Sequence, residues 1–177
     1  ENLGKEGSKV YSILDMIHHV NDYPEDMTGK KVAVIGGGAV GLDVVEYFAP
    51  RGASVSIVEV LPAIGNGIDP ISKVGTFAMM DQYGVRQMTK TALKEVRPDS
   101  FYVETPEGPE VLEFDYGFVC LGMKSTSPVL PDIQAAFEDD NNVEIITIGD
   151  SVRARRIIEG TDEGRNILNT LEKRGYL

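Results

Sequence analysis

The residues whose types and spacing could do chemistry are Gly36-Gly37-Gly38-Ala39-Val40-Gly41, a Gly-x-Gly-x-x-Gly run, and Glu59 some way downstream. Each glycine has a physical task. Gly36 permits a tight turn, Gly38 lacks the side chain that would block a diphosphate, and Gly41 lets a following helix press against a sheet. The spacing alone is weak evidence; a preceding buried strand and a following helix make it informative. Free amides at the helix start, from Gly37 through Val40, and the positive end of its dipole would then hold the anion. Glu59 falls near the distance of about 20 residues at which an acidic side chain meets a ribose. A carboxylate there accepts from ribose hydroxyls and repels a 2′-phosphate. Val60-Leu61-Pro62 adds no basic residue, so the pattern predicts NAD(H) over NADP(H). A structural glycine turn with an incidental glutamate is the alternative.

The elements needed to position those residues are present. Lys31 opens a short apolar run as expected of a central parallel strand. A helix follows with Val44, Val45 and Phe48 on one side, then a β-rich run ending at Val60, which completes a β-α-β unit. Pro50 removes a backbone donor, so that helix should tighten or stop there. After a Gly/Pro-rich loop from Leu61 to Pro70, residues 71–83 read as a helix capped by Gly84. Residues 85–88 read as a third strand. Residues 91–96, 100–105 and 111–114 read as an antiparallel meander turning at Pro106-Glu107-Gly108-Pro109, and residues 116–121 as a further buried strand closed by Gly122. The opening stretch shows Tyr11, Leu14 and Ile17 at helical spacing before breaking at Pro24. Residues 143–148 read as a strand and 162–173 as a helix. The fold class is therefore α/β of Rossmann type: a parallel sheet, an antiparallel meander, and helices on the other face.

Composition narrows the partners. Lys and Arg total 17 against 28 Asp and Glu in 177 residues, a net charge of −11. Such a surface repels nucleic acid and anionic membranes, so an anionic ligand must be held by local geometry. No apolar run approaches the ~20 residues of a membrane span, and the N-terminus does not read as a signal peptide. One cysteine excludes an internal disulfide or a Cys-x-x-Cys site. These features point to the cytosol. Cys120, in an apolar strand, reads as a small buried hydrophobe. The adjacent His18 and His19 point to different sides of a helix and read as surface residues rather than metal ligands. Arg153, Arg155 and Arg156 read either as a flavin-phosphate or interdomain contact or as solvated charge.

The run from Lys30 to Val60, the meander, Phe118-Val119-Cys120-Leu121-Gly122 and Thr147-Ile148-Gly149-Asp150 resemble a known group. They look like the C-terminal part of old-yellow-enzyme-like flavoenzymes related to 2,4-dienoyl-CoA reductase, 2-enoate reductase and trimethylamine dehydrogenase. More broadly they are similar to two-domain flavoproteins of the glutathione reductase type. The resemblance implies that NADH reduces FAD and that electrons pass toward FMN and an enone-type substrate in a barrel that carries the FMN and often a 4Fe-4S cluster. It implies that Asp150 holds the flavin ribityl chain, with Gly149 giving close backbone approach, and that Gly122 lies near the pyridine nucleotide. Where relatives carry a glutamate near the nicotinamide carboxamide, this chain has the shorter Asp43. Glu46, one turn on, reads as a substitute or as a solvated helix residue.

Set against that group, the chain lacks a barrel, a first FAD glycine motif and a cysteine set for a cluster. It reads as a fragment: residues 1–28 a connecting segment with a short helix, 29–123 an NAD(H)-binding domain, and 124–177 the remnant of an FAD domain. On that reading it is not an enzyme by itself, carries no FAD when purified, and has as partners pyridine nucleotide and the missing FAD and barrel domains. Its apolar tail either packs on the NADH domain or pairs with a second copy. The alternative function is a non-catalytic nucleotide-binding (ADP) or structural module of the trimethylamine dehydrogenase kind.

Overall fold

A computed structural model describes residues 6–140 and 143–175, which form two compact units, Glu1–Gly122 and Met123–Leu177. Residues 1–5 of the opening segment lie outside the described residues.

The first unit is built on a parallel sheet of five strands: β1 (Val10–Tyr11), β2 (Lys31–Ile35), β3 (Ser54–Val58), β4 (Arg86–Met88) and β8 (Tyr116–Val119). Their order is β1-β8-β2-β3-β4, which puts β2 in the centre. Strands β5 (Ala92–Val96), β6 (Ser100–Thr105) and β7 (Gly108–Glu113) form a separate antiparallel meander. Side chains alternate across β2 and divide the core. Val32 and Val34 pack with Val44, Val45 and Phe48 of helix α2 (Ala39–Phe48), while Ala33 and Ile35 join Phe101, Val103 and Leu112 of the meander. Helices, sheet and meander are thus three layers, the α/β arrangement expected from the sequence.

α2 stops as Pro50 requires: Ala49–Arg51 tightens into a 3-10 turn. Helix α3 (Pro70–Gln82) starts at Asp69, whose carboxylate accepts from the amides of Ile71 and Ser72. The Thr76 hydroxyl donates to the Glu46 carboxylate at 2.8 Å and ties α3 to α2. Glu46 is therefore a helix-to-helix contact.

The opening segment does more than connect. Val10–Tyr11 pairs in parallel with β8, and Tyr11 and Tyr23 enter an aromatic cluster with Phe48 and Phe118. Helix α1 (Ile13–His18) begins at a capping box between Ser12 and Asp15. The short helix expected there is present; Leu14 and Ile17 are 57% and 59% exposed, and Met16 is its buried side chain. His18 and His19 are exposed, and His19 Nδ1 pairs with Asp22 at 2.9 Å.

The second unit carries α4 (Leu130–Ala136), a 3-10 turn at Gly149–Ser151, α5 (Ile157–Arg165) and α6 (Ile167–Lys173). Two expectations fail here. Residues 143–148 form no strand, because the unit has no other β element among its described residues and a ladder needs a neighbour. The helix expected over 162–173 starts earlier and breaks at Asn166, whose side-chain amide turns back to donate to the Asp162 carbonyl.

Candidate functional site

Glycine geometry fixes the turn between β2 and α2. Gly36 sits at φ +108°, and a Cβ there would collide with the Cys120 carbonyl on β8's exit. A Cβ on Gly41 would strike the Gly36 carbonyl oxygen. Gly38 differs, since a Cβ would meet nothing within 4 Å. It is the N-cap of α2, and no side chain caps that helix start. The first amides of α2 are thus left without a side-chain acceptor, as an anion site requires.

Gly37 is held from both sides. Its N–H donates to Glu59 Oε2 at 2.8 Å, and its carbonyl accepts from the Gly65 N–H at 2.7 Å. Glu59 follows β3 directly, and its other oxygen, Oε1, accepts from the Leu61 N–H at 2.9 Å. The carboxylate is half-buried with one backbone donor on each oxygen. The loop at residues 61–69 is pinned in place by buried Ile64 and by the Gly65–Gly37 bond.

These parts border a groove of about 500 Å³, within the range of about 300–1,000 Å³ usual for ligand sites. It is lined by Gly36, Gly38, Ala39, Val40, Glu59 and Gly122, all named from the sequence. Thr91, Leu93 and Asn66 line it too, and sequence reasoning missed them. The Asn66-Gly67 pair was a turn signal within the loop after β3 that could have marked one of them. Gly37 and Gly41 shape the loop without lining the groove.

Asp43 does not line the groove. Burial and the neighbouring Glu46 raise its carboxyl above the usual range. Cys120 is buried, and desolvation, with a smaller effect from Asp43, pushes its thiol up to about 12. A thiol so placed stays protonated and unreactive at neutral pH.

Gly149 and Asp150 belong to the second unit. The Glu163 carboxylate accepts the Gly149 N–H at 2.6 Å and pairs with the Arg155 guanidinium. Asp150 Oδ1 accepts the Arg155 N–H at 3.1 Å. Arg156 pairs with Glu159, so two of the three arginines after Asp150 are engaged within their own unit. A groove of about 400 Å³ in this unit is lined by Ile146, Ile148, Asn166 and Arg174 among others, but not by Gly149 or Asp150. The described residues thus fit a dinucleotide diphosphate over α2.

No helix among the described residues is long and apolar enough to cross a membrane.

Known proteins are similar to this chain. The chain is 31% identical over 94% of its length to a bilirubin reductase of Mediterraneibacter gnavus, of which it covers 25%. It is 28% identical over 90% of its length to an NADH oxidase of Thermoanaerobacter brockii, covering 24% of that protein. The chain thus spans about a quarter of the length of these relatives. Among solved structures, histamine dehydrogenase from Rhizobium sp. 4-9 superposes with a TM-score of 0.74 at 19% identity, over 93% of this chain and 26% of that one. A 2-naphthoyl-CoA reductase complex gives 0.66 at 22%, over 88% and 22%. These two likenesses show a shared fold. The family profile described as pyridine nucleotide-disulphide oxidoreductase matches residues 2–148, and the chain, with its β-α-β glycine turn and meander, belongs to that flavin- and pyridine-nucleotide-dependent family.

Proposed function

We propose that the groove over α2 binds NADH, and that the chain is the nucleotide-binding part of a larger flavin-dependent oxidoreductase. The observation that carries this reading is the state of Glu59. A carboxylate offers about four lone-pair positions, and the Gly37 and Leu61 amides take one on each oxygen. One acceptor site per oxygen is left, which matches the adjacent hydroxyls of a ribose. A 2′-phosphate brings negative charge instead of a donor. Among the described residues no cationic side chain lines this groove, and Lys90 lines a neighbouring one with Thr105 and Glu110.

Bound NADH supplies a hydride from its nicotinamide ring. The chain's own residues hold the rest of the molecule. Gly38, Ala39 and Val40 amides take the diphosphate, and Glu59 fixes the adenosine ribose. Gly122 leaves the far lip of the groove open at the backbone. On this reading, which the resemblance to old-yellow-enzyme-like reductases supports, the acceptor FAD, and then FMN and an enone-type substrate, belong to other parts of a parent protein. Asp150 with Gly149 would touch that flavin, and Asp43 the nicotinamide end. On this reading the chain alone turns over no substrate.

Calorimetric titration with NADH, NADPH and ADP tests the proposal. NADH should bind at least about tenfold more tightly than NADPH, from losing hydrogen bonds to a charged group and gaining repulsion. Equal affinities, or a preference for NADPH, would show that Glu59 does not read the ribose. ADP binding as tightly as NADH would favour a module that merely holds nucleotide.

A further inference from the structure

The groove is almost devoid of charge. Of its lining side chains only Glu59 is ionic, and it is an acceptor. Thr91 is buried, and its hydroxyl already donates to the Thr89 carbonyl at 3.0 Å. Cys120 is a buried thiol. That leaves Asn66 as the one lining side chain with N–H donors to offer, and its carboxamide makes no hydrogen bond within the described residues.

Asn66 is an exposed residue whose backbone is held in a turn. The Ile68 N–H donates to the Gly65 carbonyl at 3.3 Å and closes a turn with Asn66 and Gly67 at its corners. Gly67, at φ +84°, takes the position where a type II turn needs a left-handed residue. The first residue of that turn, Gly65, is the one bonded to the Gly37 carbonyl. Asn66 therefore sits one residue from the anchor to the glycine loop, on a loop that cannot swing away without breaking that bond.

We propose that Asn66 contacts the diphosphate, its carboxamide donating to a phosphate oxygen from the loop side of the groove while the α2 amides donate from the helix side. This rests on the groove being the dinucleotide site. It gives an acidic protein a neutral side-chain donor at the groove.

The test measures ADP, NADH and adenosine binding to the full chain carrying Asn66→Ala, Asn66→Asp or Asn66→Lys, with thermal melts to confirm folding. A lost hydrogen bond to a charged acceptor should weaken ADP and NADH by roughly tenfold or more in the alanine variant. Aspartate should weaken them further, and lysine should bind at least as tightly as the native residue. Adenosine, lacking phosphate, should respond to none of the three. A merely structural asparagine would give losses without regard to charge, overturning the proposal. So would wild-type ADP affinity in all three variants while Gly38→Val abolishes binding. Failure of the unaltered chain to bind any of the phosphate-bearing ligands would overturn the dinucleotide reading itself.

Discussion

Gly38 and Gly41 belong to one motif, yet their replacement should fail in different ways. A side chain at Gly38 enters open space beside the α2 amides. Gly38→Val should therefore fold normally and lose dinucleotide binding, seen as an unchanged melting temperature with no NADH titration. Gly41→Ala drives a methyl into the Gly36 carbonyl, and forced overpacking of this kind costs about 1–3 kcal/mol or more. Its melting temperature should drop before binding is considered. Equal losses of stability in the two variants would contradict this division. At this scale the sequence made the glycines and Glu59 legible because they lie in one continuous β-α-β stretch with a fixed spacing. Asn66 and Thr91 were not, since they reach the groove from a loop and from the start of the meander. Nothing in their local pattern says that Gly37 O and Gly65 N–H, or Glu59 O and Thr91 N–H, are bonded.

Elements with an apolar run of their own were legible, the three-residue β4 included, and those made by a neighbour were not. β2, α2, β3 and the meander each repeat their apolar pattern long enough to be read. β1 has two residues and owes its existence to pairing with Gly117 and Phe118 of β8. Residues 143–148 show the converse: β-branched composition makes no strand without a partner. Packing between layers depends on a feature that composition hides. Gly117 on β8 leaves room for the Phe101–Phe114 ring pair, whose centroids lie 4.4 Å apart, and a Cβ there would come within 2.5 Å of the Phe114 ring. Gly117→Ala should therefore cost about 1–3 kcal/mol from overpacking, read as a lower denaturation midpoint at unchanged slope. Pairing it with Phe114→Leu should recover part of the loss. An alanine variant as stable as the parent would show that the meander shifts freely against the sheet.

For the whole molecule, the sequence conveyed class and charge, and left the arrangement of the second unit obscure because its helices are short and carry few buried side chains. The charge has a kinetic consequence. A body carrying −11 approaches a nucleotide of the same sign, and only the last few ångströms near α2 favour the anion. At low ionic strength, about 0.01 M, the Debye length is roughly 30 Å, so an incoming ligand meets the field of the whole molecule; near 0.15 M it is roughly 8 Å, and mainly the local amides are felt. Stopped-flow association of NADH should accordingly accelerate as salt is added, opposite to the slowing seen where a basic surface steers its ligand. Slowing with salt would mean that the approach to the groove is positive despite the surrounding surface. Encounter, rather than grip, is then the step that this acidic molecule leaves to the ionic strength of its surroundings.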